Sequence, residues 1–474
     1  MKRTYLVASG LSLATALLTT LAHASPVYHP EGPNLVYGDV SNGYSILSTV
    51  TNPAAGAYDY KPGHGKVGFG IFSSIGGGAE VGDVNNIYNE IDAKSQEFQN
   101  MLDSFTVTGS AGDVTAAEQS VSSTINDTNS ILSKVEQNGY AKGFTSLQWP
   151  AMPIQVTNDW LGGSLVFDVN TSLEARIGFL QDVINIDVSQ LQNDITNAIN
   201  TPNTDFVNGS DLTIRYDTTN GNNNVNFTVN NDSTVIVKAS FIHELSMAYS
   251  RKVWNNAKGN LFAGLRGKYY RVELIHDFAR IASNGDSQSQ FDNISSEDRK
   301  KSSGIGLDFG TLWVTPNYHL GATLTNINEP SFDYNTIDIS ALSYSDATTI
   351  NKLHPSETYT MQRQLKLEGA LYTENKHWVI GAALDANAVK DPVGDKYQWT
   401  VVSAAYLSNH WWLPAARIGY RSNNGDSKLH YITGGLTILK GFNIDLAYSP
   451  QKIEVNGSST TRGAMINIGV EVSF

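Results

Sequence analysis

From about Val235 to Phe474 the chain alternates apolar and polar residues in short runs, separated by loops rich in Asn, Gly, Ser and Asp. Phe442, Ile444, Leu446 and Tyr448 fall on one face of such a run, with Asn443, Asp445, Ala447 and Ser449 on the other. In the closing run Ile466, Ile468, Val470, Val472 and Phe474 oppose Asn467, Gly469, Glu471 and Ser473. Trp378, Ile380, Ala382 and Leu384 oppose Gly381, Ala383 and Asp385; Leu307, Phe309, Thr311 and Trp313 oppose Gly306, Asp308 and Gly310. Only a strand puts residues two apart on one face. The chain is therefore an all-β protein in its larger part. A soluble sandwich alternates too, so alternation alone does not say what the apolar face meets.

Three further features point to lipid. The polar face repeatedly carries full charges or glycine, as a water-filled or ion-paired lumen requires. Aromatics stand at strand ends (Tyr249, Tyr269, Trp313, Trp378, Trp399, Trp411, Trp412, Tyr420, Tyr448), where interfacial girdles form. The sequence stops on an alternating strand ending in an aromatic residue. The expected fold is a transmembrane antiparallel β-barrel in the bacterial outer membrane, with outer-membrane lipid as its surroundings. Candidate strands include 163–170, 173–182, 209–217 and 223–230, and even strand numbers for such barrels bring the expectation to about fourteen.

Residues 1–24 have the layout of a cleaved signal peptide: Lys2 and Arg3, an apolar stretch from Leu6 to Leu21, and Ala22-His23-Ala24 before Ser25. Beyond it there is no apolar run of the ~20 residues a spanning helix needs, so any membrane crossing is made by strands. The sequence of 474 residues has no cysteine, which excludes disulfides, thiolate metal sites and thiol nucleophiles. Its net charge of −13 argues against direct nucleic-acid binding.

Within 63–474, the expected barrel, one stretch departs from the strand pattern. Over 83–138 apolar residues recur at helical spacing (Ile87, Ile91, Phe98, Met101, Leu102, Phe105, then Val121, Ile125, Ile131, Leu132, Val135) on either side of Gly109–Gly112. That predicts an inserted helical hairpin, a candidate surface for envelope protein partners. Val188, Leu191, Ile195 and Ile199 predict a shorter helix. Before the first strand, 25–62 is irregular and rich in Pro, Gly and Asn, yet too apolar to dangle in water.

No catalytic constellation is visible, and the expectation is a protein that is not an enzyme. His243 and Glu244 are adjacent on a strand and so point to opposite faces. His319 is expected in the lumen near Thr323 as a polar lining residue. The H-E-x-x-H and G-x-S-x-G patterns do not occur. Asp217–Asp232 offers oxygen ligands but no calcium-loop spacing and reads as a hydrated loop, so neither metal nor cofactor is expected. Alternation assigns Lys238, Arg266, Lys268, Lys366, Arg417 and Arg421 to the lumen, together with Glu244, Asp308, Glu368, Asp385, Asp445 and Glu471. Turned to lipid, each would cost about 2–4 kcal/mol at the midplane. Their mixed signs favour ion pairs within the wall and bonds to a plug over a single-sign filter.

Several segments resemble the FadL-like outer-membrane superfamily and, within it, the conjugal-transfer TraF-type barrels (not the thioredoxin-like proteins also called TraF). They are Thr51-Asn52-Pro53-Ala54-Ala55, Gly306-Leu307-Asp308-Phe309-Gly310 and Leu320 to Asn328 with Pro330 and Phe332. Ala383 to Asn387, Arg417 to Asn423 and the closing strand complete the set. The resemblance implies a barrel of about fourteen strands with 25–62 folded into the lumen as a hatch, Asn52, Pro53 and Ala54 being its motif. Gly56, Gly63 and Gly65 are candidate hinges. It implies a passive channel for small hydrophobic molecules that leave sideways through the wall. The alternative is an accessory component of a conjugal-transfer or secretion apparatus, docking through 83–138.

Overall fold

A computed structural model of the chain describes residues 32–473 apart from 43–44, 84–110, 219–223, 281–298, 341, 343–346, 355, 409, 411 and 456–457. The expected signal peptide 1–24, the first half of the expected helical insertion, Trp411 of the expected girdle and Phe474 lie outside the described residues. One antiparallel sheet dominates. Its strands are β1 (Lys66–Val81), β2 in two pieces (Ala141–Gln148 and Ile154–Asn158), β3 (Gly163–Leu180), β4 (Thr234–Asn256), β5 (Gly259–Arg280), β6 (Lys300–Val314) and β7 (Tyr318–Thr325). They continue as β8 (Gln364–Tyr372), β9 (Trp378–Asp385), β10 (Trp399–Tyr406), β11 (Ala415–Asn423), β12 (His430–Ile438), β13 (Phe442–Tyr448) and β14 (Gly463–Ser473).

Each strand pairs with its neighbours in sequence, and β1 pairs with β14 from Gly68↔Ser473 to Glu80↔Gly463. The sheet closes into a fourteen-stranded barrel, as the alternation predicts. Closure gives every strand a partner on both sides, the condition lipid imposes. Leu245, Leu265, Ile305, Leu320, Ile380, Ile418, Ile432, Leu446 and Ile466 are exposed on the outer face. The connections at one end are short, 257–258 and 315–317 among them; at the other they are long, including 82–140, 181–233 and 326–363. Barrels of this kind have short periplasmic turns and long extracellular loops, which orients the chain.

Two expected wall strands belong elsewhere. Leu212–Asp217 and Asn224–Val229 join Asp205–Asn208 in a separate three-stranded sheet at the long-loop end. Part of the expected hydrated loop 217–232 is therefore a strand. This sheet packs with α1 (Ala111–Asn138) and α2 (Val188–Asn200) around Val121, Ile125, Leu191, Ile195, Leu212, Ile214 and Phe227. Asp187 caps α2, its carboxylate accepting from Ser189 N (3.0 Å) and Gln190 N (3.3 Å). The expected strands 163–170 and 173–182 are one continuous strand, β3. Trp399, expected in a girdle, is buried in the lumen among Tyr397 and Tyr431.

Residues 32–60 lie inside the barrel as two single-turn helical segments, Asn34–Tyr37 and Ser48–Thr51, and a 3-10 turn, Ala55–Asp59. Leu35, Val36, Val40, Leu47, Val50, Ala54 and Ala57 are buried. Room for this segment comes from wall glycines. Gly264 and Gly310 face each other across β5 and β6, and a Cβ on them would come within 2.4 Å of Pro53 O and 2.2 Å of Asn52 Oδ1 respectively. Gly264→Val should expel the segment while the sheet still closes. The expected result is faster proteolysis within 32–60 with unchanged heat-shifted gel mobility; equal protection would contradict this packing.

Candidate functional site

The lumen is where chemistry-bearing residues gather, because alternation sends one residue in two there and lipid excludes charge from the other face. Asn52 organises the lower lumen. Its Oδ1 accepts from Ala54 N (2.9 Å), closing the turn around Pro53. Its Nδ2 donates to Thr311 O (3.2 Å) and to Glu368 Oε1 (2.6 Å). Glu368 also accepts from the Ser41 hydroxyl (2.8 Å) and the Ser41 backbone N–H. His319 lies behind it, Nε2 at 3.6 Å from Glu368 Oε2 and Nδ1 at 2.9 Å from the Tyr372 hydroxyl. One wall carboxylate thus holds two separate turns of the inner segment.

The other charges divide by what they touch. Arg266 donates to Thr49 O (2.5 Å) and to Asp308 (3.2 Å), which also pairs with Lys268 (2.8 Å). Lys366 pairs with Asp39 (2.6 Å), and Arg421 reaches Leu35 O (3.3 Å) while lying 4.1 Å from the Trp399 ring centre. Glu471 accepts from Ile46 N (2.6 Å) and the Ser45 hydroxyl (2.9 Å). Arg417 makes a two-pronged pair with Asp445, 2.6 Å on each prong, beneath the Tyr37 ring. Asp385 accepts from Trp399 N (2.7 Å). Lys238 instead pairs with Glu357 of the 326–363 loop (2.5 Å), and Glu244 is buried beside Lys268 and Arg266. Five of the twelve expected lumen charges therefore bond residues 35–52 directly, and Arg417 meets them through a ring.

Nearer the long loops is a cluster that the sequence does not announce. Lys142, fully buried on β2, pairs with Glu174 (2.7 Å), Asp391 and Asp395 (3.2 Å) and donates to the Tyr397 hydroxyl (2.5 Å). Tyr431 donates to Glu80 (2.6 Å), and Arg176 joins Asp395 (3.0 Å). Phe144, Tyr397, Trp399 and Tyr431 share the buried cluster around it. Lys142 stands in a strand whose outward residues are Ala141, Gly143, Thr145 and Leu147, too small and polar to show alternation.

The inner segment leaves the barrel at the short-turn end. Tyr60 OH (2.9 Å) and Gly63 N (2.9 Å) both donate to Asp159 in the turn after β2. The Gly63 N–H foremost, then the Tyr60 hydroxyl, hold this carboxyl below its usual range. Of the three candidate hinge glycines, Gly63 has a positive φ of 80° and open space around its Cβ position. Gly56 is pressed against Ser164.

Among the described residues no group of three or more His, Cys, Asp or Glu side chains is arranged to hold a metal ion. The arrangement is suited to retention: charged wall groups bond an otherwise short and irregular segment. Glu368→Ala leaves the Ser41 N–H without its acceptor and the Asn52 amide with Thr311 O alone, a loss of about 2–4 kcal/mol at the inner segment. Its expected effect is a larger or more frequently open conductance in planar bilayers, with Lys238→Ala, which lies off the segment, close to wild type.

No curated protein matches the sequence. Among solved structures, a deletion mutant of the monoaromatic hydrocarbon channel TodX aligns over 90% of this chain and 94% of its own, at 12% identity and a TM-score of 0.35. A Pseudomonas aeruginosa FadL homologue aligns over 96% and 98%, at 8% identity and a TM-score of 0.23. The barrel itself rests on this chain's own closed sheet, and the family on its sequence: residues 49–385 match the family described as F plasmid transfer operon, TraF, protein, and the chain belongs to that family.

Proposed function

We propose that this protein is a passive outer-membrane channel for small hydrophobic compounds, exported through a cleaved signal peptide spanning 1–24, in which residues 32–60 act as a movable plug. The observation that carries the reading is a break in the wall next to that plug. β2 leaves the sheet between Gln148 and Ile154, and β1 shifts register twice between Gly70 and Ile75. Across the break two backbone bonds remain, Gly70 N to Pro153 O (3.2 Å) and Ala151 N to Ile71 O (3.2 Å). Bulges and breaks of this kind re-aim strands and end pairing. The plug reaches the same place: Gly32 N donates to Ser74 Oγ (3.1 Å), and Asn467 Nδ2 donates to that oxygen as well (2.6 Å).

Above the plug the lumen is rich in buried aromatic residues, Tyr270, Phe332, Tyr334 and Tyr359 on one side and Tyr397, Trp399 and Tyr431 on the other. A compound that partitions into such surroundings gains apolar contact, and a sugar loses hydrogen bonds. Movement of the plug away from Ser74 would connect this region to the wall break and so to the lipid. The accessory reading draws no support from a specific contact. The described half of the insertion, α1, sits at the long-loop end, away from the periplasm.

Proteoliposomes should take up a labelled apolar probe and exclude a sugar of similar size, once heat-shifted mobility has shown the barrel folded. Entry of both would make the protein a general pore. Entry of neither would turn attention to a docking role.

A further inference from the structure

We infer that the outer wall formed by β4, β5 and β6 carries a binding patch for the phosphates of a phosphorylated glycolipid in the outer leaflet. The argument begins with height in the membrane. Trp313, opposite Leu261 and against Trp254 (ring centres 5.5 Å apart), marks the lower girdle. Arg271 lies ten residues above Leu261 on β5. At ~3.3 Å per residue and a tilt of ~40° this is about 25 Å across the membrane, the height of the apolar band. Between the two levels the outward residues Ala263, Leu265, Gly267 and Tyr269 of β5 and Thr311, Phe309, Leu307 and Ile305 of β6 carry no charge. Arg271 is therefore the first outward charge met on β5 going up from the lower girdle, and Lys301 the first on β6.

At that level the charge is positive. Arg271 is 59% exposed and Arg299 38%, and Glu273 lies between them, 3.6 Å from a guanidinium nitrogen of each. Lys301, exposed, is directly opposite Glu273 in the β5–β6 register. Among the described residues three cations face one carboxylate there, in a chain whose net charge is −13. The row beside them is polar as well. Trp149 Nε1 donates to Thr171 Oγ1 (2.9 Å), and the same hydroxyl hydrogen-bonds His243 Nδ1 (2.8 Å). In register, Thr171 pairs with His243, and His243 with Arg271. An indole ring, an imidazole and a cluster of cations at headgroup height, directly above lipid-facing Tyr269 and Ile305, match a ligand with acyl chains below and phosphate above.

The test is binding of purified full-length protein, in mild detergent, to a lipid A carrying two phosphates, to the same glycolipid with its phosphates removed and to phosphatidylglycerol. The expected order places the bisphosphorylated glycolipid first. Arg271→Ala with Lys301→Ala should weaken it by at least about tenfold. Glu273→Gln removes the competing carboxylate and should tighten it. Equal binding of the dephosphorylated glycolipid or of phosphatidylglycerol, or a double variant with wild-type affinity, would overturn the proposal. If the double variant fails to show heat-shifted mobility, weaker binding by a folded Glu273→Gln variant would overturn it as well.

Discussion

Lipid offers no partner to a backbone amide, so this sheet has to close, and closure decides where everything else goes. Once β1 meets β14, each strand has one face for acyl chains and one for the lumen, and charged side chains at membrane depth can occupy only the second. Charges driven inward must then be matched, because an unpaired buried charge is far costlier than a paired one. The wall achieves this partly with itself, as in Arg417–Asp445 and Lys268–Asp308. Others are met by backbone groups of 32–60: Thr49 O for Arg266, Leu35 O for Arg421, Ile46 N for Glu471. The inner segment has little regular structure of its own, and the wall charges supply the partners its turns lack.

How well the sequence discloses this depends on how faithfully each strand alternates. β13 and β14 place branched or aromatic residues outward at every second position, and both are legible to within a residue or two. β2 is hidden because its outward positions are Ala141, Gly143, Thr145 and Leu147 while Phe144 points inward, the reverse of the usual contrast. β1 is legible only at its start, since Gly76, Gly77 and Gly78 carry no side chain to read and its register shifts reset the period. Leu212–Asp217 alternates as well as a wall strand and still belongs to the outer sheet, because alternation reports one buried face without saying what buries it. Parity alone assigns an expected side to the twelve charges. It does not assign their partners: Glu368 and Ser41 are 327 residues apart in the chain.

The strands that hide from the pattern are also those that surround the proposed exit. A wall region with glycines, two register shifts and two bridging bonds gives up alternation and ladder together. Such a segment opens at a lower free-energy cost than one with continuous pairing. The inner segment's contact with Ser74 ties that part of the wall to the charges that bond residues 35–52.

The account stands on the claim that passage requires the plug to move. The chain has no cysteine, so one engineered pair can lock it without competition. A Cβ at Gly56 would lie 3.3 Å from Ser164 Cβ, close to the separation a disulfide spans. In proteoliposomes, Gly56→Cys with Ser164→Cys should pass the apolar probe when reduced and stop it when oxidised, with heat-shifted mobility unchanged. Equal uptake in both states, with the disulfide verified as formed, would show that the route does not depend on the plug and would contradict the account.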